Sequence, residues 1–134
     1  MNALNHGEFR IESEGDIVMA RKVVRNAATA LGFGITDVTR IVTAASELTR
    51  NIYLHAKSGI MRWQVLNHGA GVGMELTFED HGPGIPDLPK AMEMGYSTGK
   101  GLGMGLPGSK RLMDEMRIES AVGKGTTVAV RKWL

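Results

Sequence analysis

The glycines of this chain are crowded into one segment, and that crowding constrains the fold more than any other sequence feature. Eight of the eighteen glycines lie between Asp80 and Gly108. Glycine weakens helices and strands because it loses the most backbone freedom on folding. So dense a run therefore predicts either disorder or a loop whose backbone has a task. Because no other segment has the composition of a disordered chain, we favour a loop that approaches a ligand closely.

Regular hydrophobic patterns on both sides of this segment predict an α/β fold. Apolar residues recur at helical spacing in three stretches, and β-forming or alternating stretches predict five strands. The predicted strands are 8–14, 61–66, 74–79, 117–122 and 126–133, and the predicted helices are 16–31, 36 to between 56 and 59, and 106–116. Asp16 and Thr36 are the candidate N-caps of the first two helices. This order predicts a two-layer α/β (α+β) sandwich, with helices on one face of a mixed, mostly antiparallel sheet.

Composition excludes several classes of protein. We expect a single domain over residues 1–134, a length that can bury one core. The absence of cysteine excludes disulfides, thiolate zinc sites and cysteine nucleophiles. A net charge of +2 and an aromatic content of 5% argue against a nucleic-acid surface. No apolar run approaches the roughly 20 residues of a membrane span. We therefore expect a cytoplasmic protein that binds neither nucleic acid nor membrane.

Two polar residues on the second predicted helix form the first candidate site. Glu47 and Asn51 are four residues apart, so their side chains lie one above the other at the edge of the apolar stripe. A carboxylate and a carboxamide at that position suit a crevice that holds a polar ligand. For the pair alone, a solvated helix shoulder is the better explanation.

Two motifs within the glycine-rich segment suit a flat ligand and a phosphate chain. Asp80 ends a strand, and Gly82 and Gly84 then let the backbone approach a flat ligand while the carboxylate accepts a bond from an amine. An Asx turn explains these three residues about as well. Farther along, alternate glycines open a helix and expose successive amides to a phosphate chain. This second motif consists of Lys100, Gly101, Gly103, Met104, Gly105 and Leu106.

The order of these motifs resembles the GHKL (Bergerat-fold) ATP-binding family. E-x-x-x-N at 47–51, D-x-G-x-G at 80–84, G-x-G-x-G at 101–105 and Gly-Thr at 125–126 follow one another in the chain. The resemblance covers about residues 8–133. Within the family, the sequences of these segments are most similar to those of the small bacterial serine kinases of the stressosome. The anti-sigma-factor kinases are similar, but their helix motif reads more like E-A-x-x-N.

The resemblance implies an ATP- and Mg²⁺-dependent protein serine/threonine kinase with roles for particular residues. Asp80 would accept a hydrogen bond from the adenine amino group, and Thr126 would lie near the ring. Asn51 would hold Mg²⁺, and Glu47 would be the general base. The glycine loop that begins at Lys100 would bind the phosphates, and residues 87–103 would form a lid.

The resemblance also implies protein partners. The phosphorylated serine or threonine would belong to a STAS-domain antagonist or scaffold protein. The released kinase would then activate a downstream partner such as a phosphatase. One alternative is an anti-sigma factor with kinase activity that binds a sigma factor and phosphorylates an anti-anti-sigma factor. Another is an interaction module that uses ATP only as a structural ligand, although the intact Glu47 and Asn51 argue against it.

Overall fold

A computed structural model describes residues 6–69, 71–85 and 105–134, which form a sheet and a layer of helices. The strands are β1 (His6–Ile11), β2 (Gly59–His68), β3 (Gly71–Asp80), β4 (Glu115–Ala121) and β5 (Gly125–Trp133). The helices are α1 (Gly15–Leu31), α2 (Ile35–Ala56) and α3 (Gly105–Leu112). The predicted two-layer fold is confirmed.

The described strands form one sheet in the order β1-β2-β3-β5-β4, and every neighbouring pair is antiparallel. The expectation of a mixed sheet is therefore wrong for these strands. The physical reason is the β4–β5 hairpin, which reverses the chain so that β5 returns antiparallel to β3. Spacing along the sequence does not reveal this direction, because it depends on which strands become neighbours.

The core lies between the helices and one face of the sheet. The period-2 and period-3.6 patterns in the sequence bring apolar side chains to this layer. Fully or almost fully buried residues include Met61, Leu76, Phe78, Val128 and Val130 from the sheet and Ile41, Leu48 and Ile52 from α2. Each such side chain contributes roughly 1.5–3 kcal/mol by leaving water. No described helix combines the length and the apolar character needed to cross a membrane.

Asp16 shapes the connection between β1 and α1 but is not the predicted N-cap. The helix begins at Gly15, and the capping position is occupied by Glu14. Asp16 lies in the first turn, where its Oδ2 accepts the N–H groups of Glu12 (2.8 Å) and Ser13 (3.0 Å). These bonds lower the pKa of the Asp16 carboxyl, and the bond from the Glu12 N–H has the largest effect. They also turn the chain out of the strand direction.

Several other boundaries differ from the sequence-based predictions, including both ends of β2 and β3 and the start of β4. β1 ends at Ile11 instead of residue 14, because Asp16 binds the backbone that follows. α2 begins after Gly34 and not after Thr36, which lies in the first helical turn. α3 ends at Leu112 instead of residue 116.

Lys132 on β5 is the residue that explains the early end of α3. Its Nζ lies 3.2 Å from the Leu112 carbonyl oxygen and 3.2 Å from Asp114 Oδ1. It also lies 3.8 Å from Asp37 Oδ1 in the first turn of α2. A cation at a helix C-terminus satisfies an orphan carbonyl and interacts favourably with the helix dipole. One nearly buried lysine thus links the end of α3 to the beginning of α2.

We expect Lys132→Met to lower stability without changing the fold. Methionine retains much of the apolar stem but loses the charged hydrogen bonds, at a cost of about 1.5–3 kcal/mol. The free energy of unfolding in urea measures this loss. Lys124→Met is the matched control because Lys124 is exposed on the β4–β5 hairpin, and its effect should stay within about 0.5 kcal/mol. Equal stabilities for the two variants would contradict the anchoring role.

The opposite face of the sheet is charged. Arg62 bridges Glu8 at 3.0 Å and Glu79 at 3.2 Å, and Arg131 binds Glu75 at 2.7 Å. The hydrogen bond to Glu79 is the main reason that the pKa of the Arg62 guanidinium is raised. The bond to Glu75 is the main reason that the pKa of Arg131 is raised. These cross-strand pairs make this face polar, consistent with the described helices covering the other face.

Candidate functional site

A row of polar residues crosses the inner face of the sheet beside the end of α2. The strand register pairs Asp80 with Thr126, and Thr126 with Ser120. The next residues on the same face, Phe78 before Asp80 and Val128 after Thr126, are buried in the core. The polar row therefore marks the edge of the core, where the sheet changes from packing against helices to presenting hydrogen-bonding groups.

Asp80 is held by one of its two carboxylate oxygens. Oδ1 accepts the N–H groups of Gly82 (2.9 Å) and Thr126 (3.3 Å). The first bond is the Asx turn that the sequence allowed, and the second fastens β3 to β5. The other oxygen, Oδ2, has no hydrogen-bond partner among the described residues. The turn and a ligand-binding role are thus compatible, because each uses a different oxygen.

Gly82 and Gly84 seat the loop after β3 against its protein neighbours. A Cβ on Gly82 would lie 2.6 Å from the Ala56 Cβ at the end of α2. Gly84 has a φ of +80°, and a Cβ there would lie 2.7 Å from the carbonyl carbon of Ala121. The sequence predicts close approach to a ligand. Among the described residues, the close neighbours are α2 and β4, so these glycines form the wall beside Asp80.

Glu47 and Asn51 lie one turn apart on α2, and both are partly buried. The Glu47 side chain is only 15% exposed, and its Oε1 accepts a bond from Arg50 Nη1 at 3.0 Å. This ion pair orients the carboxylate along the helix surface. The sequence motif does not include Arg50, although opposite charges three residues apart on a helix are a known signal for such a pair.

Most of the predicted phosphate loop lies outside the described residues. This applies to Lys100, Gly101, Gly103 and Met104, and to the predicted lid at 87–103. Gly105 begins α3, and Leu106 is buried in the core. The helix predicted to follow the alternating glycines is therefore present, and it packs along α2, the helix that carries Glu47 and Asn51.

A metal ion at this site would have few protein ligands. The part of the chain that the structure describes contains no cluster of three or more His, Asp or Glu residues able to hold one. The amide oxygen of Asn51 is a suitable hard ligand. Mg²⁺ is commonly bound through one or two protein oxygens together with water and substrate phosphates. The residues present therefore fit Mg²⁺ that arrives with a nucleotide.

A pocket of about 330 Å³ also borders these strand ends. Several of its lining side chains, including Glu79, Glu119 and Thr127, alternate onto the charged outer face and not the Asp80 face. We therefore place the candidate ligand surface on the inner face, between the polar row and α2.

Comparison with known proteins identifies the family to which this fold belongs. Residues 11–132 match the histidine kinase-like ATPase domain family, and the chain belongs to that family. It is 52% identical over 125 residues to the serine/threonine-protein kinase RsbT of Bacillus subtilis, covering 93% of this chain and 94% of that protein. It is 35% identical over 121 residues to an anti-sigma F factor of a Thermoanaerobacter species, covering 86% and 83%. The predicted resemblance to the GHKL family is confirmed.

Solved structures share the fold at low sequence identity. The RsbU and RsbW domains of a Mycobacterium tuberculosis protein match with a TM-score of 0.62 and 18% identity, over 95% of this chain and 31% of that one. A mycobacterial sensor histidine kinase, MprB, matches with a TM-score of 0.57 and 18% identity, over 96% and 97%. These likenesses support the architecture alone.

Proposed function

We propose that this protein is an ATP- and Mg²⁺-dependent serine/threonine kinase of a bacterial stress-signalling partner switch. The observation that carries the proposal is the placement of Glu47 and Asn51 on the same helix whose end packs beside Asp80. Helix α2 thus carries Glu47, a carboxylate that can take a proton, and ends beside Asp80, an acceptor that can bind a nucleobase. The 52% identity to a serine/threonine-protein kinase supports the same activity.

The partners of this kinase follow from its proposed class. Its substrate is a STAS-domain antagonist or scaffold protein in the stressosome, and the released kinase activates a downstream effector such as a phosphatase. We place these events in the cytoplasm.

Asp80 binds the nucleobase. Its Oδ2, which has no partner among the described residues, accepts a hydrogen bond from the adenine amino group, while Oδ1 stays bonded to Gly82 and Thr126. Guanine presents a carbonyl oxygen at the equivalent position, which would face another acceptor. A buried acceptor left without a donor costs about 1–3 kcal/mol, so this arrangement favours adenine.

The phosphates bind near Asn51 and the beginning of α3. Asn51 holds Mg²⁺, which neutralises phosphate charge when bound. The first two N–H groups of α3, at Gly105 and Leu106, have no partner within the helix and suit an anion, whereas Pro107 has no N–H. The glycine loop from Lys100 adds backbone amides and a cation, and residues 87–103 close over the site.

Glu47 is the general base for phosphoryl transfer. Its carboxylate takes the proton from the acceptor hydroxyl as the acceptor oxygen bonds to the γ-phosphorus. The bond from that phosphorus to the β,γ-bridging oxygen breaks, and ADP leaves with the electron pair. Such reactions depend mainly on positioning and charge neutralisation. The partial exposure of Glu47 leaves it within reach of a protein acceptor.

Arg50 orients this base, which leads to a separate prediction. Because Arg50 binds only Oε1 among the described contacts, Oε2 stays available for the acceptor proton. We expect Arg50→Ala to lower kcat about twofold to fivefold, which corresponds to about 0.5–1 kcal/mol for a partly exposed ion pair, with an unchanged Kd for ATP. Arg50→Lys should restore part of the rate. An unchanged kcat in the alanine variant would contradict the orienting role.

The kinase activity is tested by incubating the protein with γ-labelled ATP and a co-encoded STAS-domain protein. We expect Mg²⁺-dependent label on one serine or threonine, located by mass spectrometry, and no label after chelation. ATP binding is measured separately by calorimetry. Normal ATP binding without phosphotransfer to any co-encoded STAS protein would contradict the proposal and favour an interaction module.

A second candidate function is an anti-sigma factor with kinase activity. It is favoured by the 35% identity to an anti-sigma F factor over 86% of this chain. Affinity capture with purified sigma factor and STAS protein separates the two functions. Stable binding of the sigma factor favours the anti-sigma function, and selective binding of the STAS protein favours the switch kinase.

A further inference from the structure

Ser120 belongs to none of the motifs in the sequence, yet it ends the polar row on the edge strand β4 and binds the central residue, Thr126. It is on β4, directly opposite Thr126 in the strand register. Its Oγ accepts the Ile85 N–H at 2.8 Å and lies 3.2 Å from the Gly125 carbonyl oxygen. It also lies 2.9 Å from Thr126 Oγ1, a contact in which either hydroxyl can donate.

The chemistry of a hydroxyl group determines the direction of these three bonds. A serine hydroxyl has one proton to donate and two lone pairs to accept with. The Ile85 N–H can only donate, and the Gly125 carbonyl can only accept. All three contacts are hydrogen bonds only when Ser120 donates to Gly125 and Thr126 donates to Ser120. Thr126 Oγ1 then has no proton left and offers only lone pairs to a ligand.

We propose that Ser120 is a specificity-determining residue that, by taking the Thr126 proton, makes Thr126 a hydrogen-bond acceptor beside the acceptor Asp80. Two acceptors side by side favour a base edge that presents an amino group. They disfavour a carbonyl at the same position. A freely rotating threonine hydroxyl could donate its proton to that carbonyl, but a hydroxyl that already donates to Ser120 cannot. This inference rests on the proposed function, since it requires that Asp80 and Thr126 face the base.

The test compares ATP with ITP, whose base carries a carbonyl in place of the adenine amino group. Calorimetry gives the Kd of each nucleotide for the wild-type protein and for Ser120→Ala. The alanine frees the Thr126 hydroxyl to donate to the ligand. We expect ATP to bind more weakly and the preference for ATP over ITP to fall about fivefold to tenfold. A purely structural role for Ser120 would weaken both nucleotides equally.

A second pair of variants keeps the test independent of how Ser120→Ala folds. Thr126→Ser retains the hydroxyl and should keep the wild-type preference for ATP. Thr126→Val removes the hydroxyl and should reduce that preference. An unchanged ATP/ITP ratio in both Ser120→Ala and Thr126→Val, with normal wild-type ATP binding, overturns this inference alone. Failure of the wild-type protein to bind ATP overturns the proposed function and this inference with it.

Discussion

Glu47→Gln should slow phosphotransfer by at least about 100-fold, the usual contribution of a general base. Glutamine has nearly the same size and can still accept the hydrogen bond from Arg50, so the side chain should keep its place. It cannot take a proton from the acceptor hydroxyl. ATP affinity should change by less than about twofold, because the lost interaction acts on the reacting hydroxyl and not on the nucleotide.

The two effects are separated by single-turnover labelling of the STAS protein and by calorimetric titration with ATP. Glu12→Gln is the matched control, since Glu12 is exposed in the β1–α1 connection. It should leave both quantities unchanged. Label transfer at the wild-type rate in Glu47→Gln would remove Glu47 from the mechanism.

Asp80→Asn should weaken ATP binding by about 10-fold to 100-fold, corresponding to the loss of a hydrogen bond to a charged group. The asparagine carbonyl can replace Oδ1 and keep the bonds from Gly82 and Thr126. Its amide nitrogen then replaces Oδ2 and presents N–H groups to the adenine amine, so two donors meet. The substitution therefore reverses the polarity of the base contact while preserving the turn.

Calorimetry with ATP measures this loss, and thermal unfolding without nucleotide shows whether the turn survives. We expect a melting temperature close to that of the wild-type protein together with a much higher Kd. Normal ATP affinity in a folded Asp80→Asn variant would show that the adenine contact lies elsewhere.

Much of the fold could be predicted because burial repeats regularly along the sequence. Ile41, Leu48 and Ile52 follow helical spacing, and all three are buried in the core. The alternation of apolar and charged residues along β3 likewise identifies a strand with one covered face. The direction of β5 beside β3 could not be derived in this way, since strand pairing depends on contacts between distant segments.

The same distinction holds for the candidate site. Glu47, Asn51 and Asp80 belong to short motifs that are weak singly, and the order of these motifs along the chain points to them. The bond between Asp80 and Thr126 joins residues 46 positions apart, and Ser120 acts through partners on two other segments. Such contacts exist only after the sheet has assembled. A local pattern can nominate an acceptor, but it cannot show which proton that acceptor receives.

The close packing at the end of α2 fixes the distance between Glu47 and the sheet. A Cβ on Gly59 would lie 2.7 Å from Ile52 Cγ2, and one on Gly82 would lie 2.6 Å from the Ala56 Cβ, so the helix end cannot slide over the sheet. Glu47 lies nine residues before Ala56, or about 13 Å along the axis. One inserted residue would shift Glu47 by about 1.5 Å and rotate it by about 100°. The segment between them can therefore accept substitutions but not a change of length.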